Sequence, residues 1–317
     1  MASGTNQLDE IFATTFPKVK STLADNITSE VPLLAALNAW GKVTEDGGRT
    51  IDRQVLYALN DTVGSYDGYD PINVTPQDGF GYATYSWKQY AGSVTIDGRT
   101  EALNAGSSKI IDILKAKFDQ LRVSTEMAMN TMLWGDGTGN SSKDFLGIQA
   151  VIKDSGTLGG LDPATDATWW KSRAVATDLG LNSLSTVTVL NSILNSLKLV
   201  KSRPRIEFTT QENFEAYEAL ATEKIRYTST VMADLGFESI QHKGAEVLYD
   251  PECPDGYWYF INPEHLEFVR HSARWLKLLD FVRPANQDAK TALVISMGNL
   301  ITDVRRAHGF LSDINPT

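Results

Sequence analysis

Cysteine is nearly absent: Cys253 is the single thiol in 317 residues. One thiol cannot close a disulfide or gather a thiolate cluster within a chain, so neither device braces this fold. Histidine is scarce as well. His242, His265, His271 and His308 fall in no HExxH, HxH or Cys/His spacing, which leaves no metal site written in the sequence. Long apolar runs are missing too, since VPLLAALNAW ending at Trp40 and YWYFI around Tyr259 fall far short of the roughly 20 residues that span a bilayer. The first residues, MASGTNQLDE, have no basic region ahead of an apolar core, so a cytoplasmic origin is expected and a membrane role is not. Clustered positive charge is the last absence. A net charge of −10 argues against a dedicated nucleic-acid binder, which needs grouped cations to neutralise phosphate, and favours solubility at high concentration.

Catalytic motifs are equally lacking. There is no G-x-S-x-G nucleophile elbow, no G-x-x-x-x-G-K-[ST] phosphate loop and no dinucleotide fingerprint. The run Gly135-Asp136-Gly137-Thr138-Gly139-Asn140 lacks the alternating acids of a calcium loop, and it ends a helix, where the dipole repels anions. It reads as a structural turn. Asp250 and Glu252 form one of many acidic pairs that 39 acidic residues generate, so proximity in sequence gives them no acid–base role. Arg203, Arg205, Arg270, Arg274, Arg283, Arg305 and Arg306 are scattered and read as ion-pair partners. No enzyme activity, cofactor or metal is expected.

What the chain does have is one long helical stretch, Ser107 to Trp134. Ile110, Leu114, Phe118, Leu121, Thr125, Ala128 and Met132 recur at steps of three and four, predicting one buried face. Lys109, Lys115, Lys117, Asp119, Arg122 and Glu126 fall mostly elsewhere. No proline interrupts it. Ser107 or Ser108 can cap the start and Gly135 can end it in a left-handed conformation, giving a rod of roughly 40 Å.

Before it, residues 41–96 change to a period of two. Thr50–Leu59 and Ala83–Ile96 read as the arms of a long two-stranded hairpin, roughly 35 to 45 Å in reach, with an irregular Gly- and Pro-rich tip between them. Such a ribbon is marginal alone and needs a support, which a neighbouring subunit can supply. Its aromatic residues fit an interface, and Tyr57, Tyr66, Tyr69, Tyr82, Tyr85, Trp87 and Tyr90 are the expected intersubunit contacts. Packing within the same domain is the competing reading. Residues 1–40 read as an arm, with a short helix after Pro32. After the long helix, Leu184–Leu199 and Gln211–Ala221 read as helices around a buried strand at Arg205–Thr209, a small α/β lobe. Strand-like runs follow at Gly256–Ile261, His265–Val269, Leu276–Val282 and Thr291–Ile301.

In order, these elements resemble the major capsid proteins of tailed bacteriophages, the family with the Hong Kong ninety-seven fold. The carriers are the loop Gly41–Ile96, the helix Ser107–Trp134, the turn WGDGTGN at Trp134–Asn140, RIEFTTQENFEAYEAL at Arg205–Leu220, GAEVLYDPECPDGYWYFINPEHLEF at Gly244–Phe268 and GNLITDVRRAHGFL at Gly298–Leu311. The resemblance implies an α+β fold. Its expected parts are an N-terminal arm at 1–40, an extended hairpin loop at 41–97, a peripheral domain at 98–183 and 256–290 with Ser107–Trp134 as spine helix, and an axial domain at 184–255 and 291–317. It further implies self-assembly through hexamers and pentamers into an icosahedral head that encloses double-stranded DNA without sequence-specific binding. Location in the virion after assembly in the host cytoplasm follows, with a separate scaffolding protein, a portal and a decoration protein as partners. Lys88 is the only lysine between Lys42 and Lys109, and no covalent cross-link is expected from it. An encapsulin-like compartment shell shares these features. A reading of a different class, a soluble hydrolase or carbohydrate-binding protein, would use Trp169-Trp170 and the GYWYF aromatics as a platform.

Overall fold

Turn formers and apolar patterns set the element boundaries in the computed structural model, which describes residues 31–99, 107–165, 167–180, 184–198, 202–221 and 239–315. The arm at 1–30, the strand and turn signal at Gly236-Phe237, the side chains of Ile110 and Leu114, and the Ser107 or Ser108 cap lie outside the described residues. Pro32 opens helix α1 (Pro32–Ala39), where a fixed φ suits the first turn. Leu33, Leu34, Ala35, Ala36 and Leu37 are all buried, the leucines in the main core that also holds Ile51, Leu266 and Phe268. Each leucine contributes about 1.5–3 kcal/mol by leaving water, so two turns suffice to anchor the segment.

Strands β1 (Val43–Asp46), β2 (Ile51–Leu56) and β3 (Phe80–Tyr85) come next. Only β2 and β3 form the hairpin, from Ile51 opposite Tyr85 to Leu56 opposite Phe80. The expected second arm, Ala83–Ile96, is therefore corrected. After Ser86 the chain enters β4 (Lys88–Asp97), which pairs antiparallel with the long strand β12 (Ala289–Thr302). Both halves carry the same alternation, so the sequence pattern could not tell one partner from the other. Asn299 fixes the break: its amide donates to the Ser86 carbonyl at 2.9 Å, while its Oδ1 accepts the Leu146 N–H at 2.9 Å.

Helix α2 spans Ser107–Trp134, as the pattern predicts. Phe118 and Thr125 are buried as expected, and Met129, Leu133 and Trp134 join them. Glu126 departs from expectation. It is 7% exposed, held across one turn by Arg122 at 3.0 Å. The helix also ends differently, because Gly137 has the positive φ of 76° and Gly135 does not. The Gly135 N–H bonds the Met132 carbonyl at 3.1 Å, a tightened last turn, and Gln149 donates to the Trp134 carbonyl at 2.8 Å. Gly147 packs so closely on the carbonyls of Met132, Leu133 and Gly135 that no side chain fits there. The short helix α3 (Ile148–Val151) follows.

Two larger sheets carry the rest. In the first, β1 pairs parallel with β10 (Leu266–His271), and β10 and the two-residue β11 (Lys277–Leu278) pair with β12. Val294 and Ile295 pair with both β11 and β4, which places those strands on opposite edges of β12. The second sheet runs β5 (Arg173–Gly180), β13 (Gly309–Asn315), β9 (Trp258–Ile261), β6 (Ile206–Thr209), β8 (Ala245–Tyr249), β7 (Ile240–His242). Helices α4 (Leu184–Ser196) and α5 (Gln211–Ala221) pack on one of its faces, with Leu190, Ile193, Phe214 and Tyr217 against Trp258, Phe260 and Val247. The other face packs on the end of α2, where Trp134 meets Phe208 and Tyr259 edge-on and tilted. Burial on both faces explains why β6 and β9 read as continuous runs. Strand pairing cuts the chain differently from the expected domains. β4 and β12 share the first sheet, β5 and β9 belong to the second, and the chain crosses between sheets at 262–265 and 303–308.

Candidate intersubunit surface

The hairpin divides into a fixed root and a bare tip. At the root, Arg53 of β2 reaches Glu267 of β10 at 3.1 Å and Asp46 of β1 at 3.4 Å, tying the ribbon to the first sheet. The Tyr85 hydroxyl donates to the Thr302 carbonyl at 2.7 Å, and the Thr84 N–H bonds the Gly159 carbonyl at 2.9 Å. Burial pushes the Tyr85 phenol well above its ordinary range, so it stays a donor. Ile51, Val55 and Ala83 complete the root's share of the main core.

The crossover at 303–308, which lies beside this root, is itself fastened to the segment around α3. Arg305 is 1% exposed, and its guanidinium donates to the carbonyls of Ala150, Val151, Ser155 and Gly156 at 2.8–3.1 Å. Burial lowers its pKa to about 10, which still leaves it charged at neutral pH. His308 is fully buried. Its Nδ1 accepts the Asn262 N–H at 3.2 Å and its Nε2 faces Thr302 Oγ1 at 3.2 Å. Burial, and then the neighbouring His265, lower its pKa to about 4, so the ring is neutral.

The tip is the opposite. Leu59, Val63, Tyr69 and Val74 are 81%, 84%, 107% and 86% exposed, and Tyr66, Ile72, Phe80 and Tyr82 are exposed as well. Of the seven expected contact residues, Tyr66, Tyr69 and Tyr82 stand on this surface. Tyr57 is partly covered by stacking on Trp169 at 5.8 Å, and Trp87 donates to the Gly48 carbonyl and meets His271 edge-on. Tyr90 packs on the core. Tyr85 is corrected outright: at 2% exposure it is a core residue. Alternation separates it from Tyr82, but only the pairing of β3 shows which face is inward. Leu59, Val63, Ile72 and Val74 share this surface without any aromatic signal to mark them in the sequence.

Other sites first read in the sequence are structural in place. Among the described residues, no group of three or more His, Cys, Asp or Glu is placed to hold a metal, and no helix is long and apolar enough to cross a membrane. Asp136 accepts the Thr138 hydroxyl and N–H at 2.6 and 2.9 Å, closing the glycine turn, and those bonds hold its carboxyl below the usual range. Asp250 is buried, accepts from Asn130 and the Glu252 N–H, and burial raises its pKa. Cys253 is buried beside it, its thiol pushed up by the same burial. His242 bonds the buried Glu207 at 2.9 Å, which Trp258 also donates to at 2.8 Å, and His265 pairs with Asp303. Arg270 pairs with Glu45, and Arg205 lies over Trp40. Lys88 bonds the Ser142 carbonyl. The aromatic platform is not open: Trp170, Trp258, Tyr259 and Phe260 are each no more than 1% exposed. A cleft of about 120 Å³ between Val55, Leu56, Trp169, Trp170 and Arg306 is well below the several hundred Å³ of a typical ligand pocket.

A sheet pair bridged by a 28-residue helix, with a hairpin projecting from their junction, defines a class: this chain has the Hong Kong ninety-seven fold of capsid and shell proteins. It is similar to a chain of the cyanophage A-1(L) capsid asymmetric unit, at 16% identity and a TM-score of 0.67 over 90% of this chain and 93% of that one. It is also similar to a chain of the holo-SrpI encapsulin complex from Synechococcus elongatus, at 12% identity and a TM-score of 0.55 over 88% of both. A chain of the capsid of an empty GTA particle aligns at 11% identity and a TM-score of 0.55, over 86% and 88%. No family model and no curated protein sequence matches the chain.

Proposed function

We propose that the protein is a structural shell subunit, the major capsid protein of a tailed phage, which assembles through hexamers and pentamers into an icosahedral head around double-stranded DNA. The observation that carries this reading is the pairing of a shell-protein fold over nine-tenths of the chain with an apolar tip that the subunit leaves bare. A monomeric protein rarely exposes so many large apolar groups in one segment; a neighbouring subunit would cover them. Helix α2 serves as the spine, holding the hairpin root and the α/β lobe at fixed geometry. A separate scaffolding protein, a portal and, in a decorated head, a decoration protein are the partners proposed with this role, and the net charge of −10 fits a genome held by confinement. The work is structural and needs no catalytic residue.

The test is electron microscopy and sedimentation of the purified chain, alone and with its scaffolding partner. Shells, rings or capsomers are expected, and deletion of residues 62–81 should leave a folded subunit that assembles poorly. A chain that stays monomeric with the scaffold, or normal shells from the deletion, overturns the reading.

A further inference from the structure

Of the buried side-chain polar atoms that lack a hydrogen-bond partner among the described residues, three belong to one cluster where α2 meets the second sheet. They are Asn130 Oδ1 and Trp134 Nε1, one turn apart on α2, and Oδ2 of Asp250, the residue after β8. Asp250 is fully buried, and its other polar atoms are engaged. Its Oδ1 accepts from Asn130 Nδ2 and from the Glu252 N–H, each at 2.9 Å. Its own N–H reaches the Thr209 carbonyl at 3.2 Å, and its carbonyl accepts the Cys253 N–H at 3.0 Å. An amide and a carboxyl are flat groups of similar span, and side by side they close a ring of two hydrogen bonds only when the acid keeps its proton. Here the N–H half of that ring is in place. The two oxygens that would form the other half both lack a donor.

The surroundings disfavour a negative charge at this place. Among the described residues no cation pairs with Asp250, and the Trp134 indole N–H lies close to it but outside hydrogen-bond geometry. Its own turn sets Glu252 and the buried Cys253 beside it, with Asp255 beyond. From α2 comes Glu126, one turn before Asn130 and paired with Arg122; β9 brings Tyr259 next to Cys253, and β6 the uncharged Thr209. A carboxylate here is a buried anion without a counter-charge, which is costly, and burial above all raises its pKa. We propose that Asp250 is held in the native subunit as a neutral carboxylic acid, its Oδ2–H donating to Asn130 Oδ1, so that one proton fastens the second sheet to helix α2. Acid tightens this joint. The folded group keeps its proton to higher pH than an unfolded aspartate, whose ordinary value is 3.8, so the stability it contributes is complete below 3.8 and is lost as pH rises through the raised native value. His308, buried and neutral, has the opposite sign. The joint belongs to the single subunit, whatever that subunit assembles into.

Infrared difference spectroscopy of the unassembled wild type against Asp250→Asn reads the proton directly at about pH 6, where ordinary aspartates are ionised. The wild type should show the C=O band of a protonated carboxyl, one per subunit, which the variant lacks. Asn130→Leu removes the acceptor and should shift that band. On the wild type alone, the band should fade as pH is raised. Asp250→Asn puts an N–H where the acid has its O–H, so at about pH 7 its urea midpoint should equal or exceed that of the wild type, and the wild type should gain on it as pH falls. A missing band, as a carboxylate bridged by water would give, overturns the inference. So does a band unmoved by Asn130→Leu, or a wild type that loses ground to the Asn variant in acid. Each of these outcomes leaves the shell reading intact, because none of the measurements involves assembly.

Discussion

The root and the tip of the same hairpin obey opposite rules. Within six residue pairs the root turns one face onto its own subunit, Arg53 on two carboxylates, Tyr85 on a carbonyl, Ile51 and Val55 on the core, while Leu56, Phe80 and Tyr82 stay exposed with the tip. Beyond Leu56 the chain makes almost no contact with the body, yet it keeps large apolar groups. A projecting element needs both halves. A loose root would cost a partner the entropy of orienting the ribbon, whereas a root already fixed lets apolar contact at the tip act as binding energy. Substitutions in the two halves should therefore separate stability from assembly.

The largest effect is expected in the crossover beside the root. Arg305→Met keeps most of the volume but strands five backbone carbonyls that now share one guanidinium, the Trp170 carbonyl at 3.5 Å being the most distant. Each unsatisfied buried acceptor costs about 1–3 kcal/mol and water can recover part of it, so we expect a loss of about 3–5 kcal/mol in unfolding free energy. Urea titration of the unassembled subunit measures it. A loss under about 1 kcal/mol would mean that the carbonyls find water and that the guanidinium does not hold the crossover in place.

His308 gives the next effect, and its sign follows from its environment. The native ring stays neutral down to about pH 4, while the unfolded ring takes a proton near 6.5. Between those values the unfolded chain binds the extra proton, so stability falls as pH drops from 6.5 to 4, by about 3 kcal/mol, and this contribution is constant below. His308→Gln removes the titration. Across that window the wild type should lose about 3 kcal/mol more than the variant; parallel stability curves would show that the buried site adapts to the charge.

How legible these halves were in the sequence differs for a physical reason. Helix α2 was readable to the residue because a long 3.6-residue pattern is local and no proline or glycine breaks it. So was α5, and the buried character of β6. Strand partners were not readable. Thr84 and Thr95 sit in equivalent alternating runs, yet one belongs to the hairpin and the other to the first sheet, because Asn299, some 200 residues away, holds Ser86 between them. The candidate surface was half visible for the same reason. Tyrosine enrichment marked the segment, but whether Tyr85 or Tyr82 faces the core depends on a register that only tertiary contact sets. Arg305 looked like one of several scattered cations, since nothing local announces a guanidinium satisfied by backbone carbonyls.

The smallest stability effect belongs to the tip, and it is the one that sharpens the contrast most. Tyr66→Ser with Tyr69→Ser removes two exposed rings that stand at 65% and 107% exposure. Neither ring is buried in the subunit, so the unfolding free energy should change by no more than about 0.5 kcal/mol. Assembly should respond quite differently, because a tyrosine buried at an interface centre can contribute about 2 kcal/mol, and losing two raises the protein concentration needed for assembly by well over tenfold. Light scattering against protein concentration reads the threshold, and the urea midpoint of the same preparation reads the fold. If the threshold stays and the midpoint falls, the tip packs on its own subunit and the division between a fixed root and a bare tip is wrong.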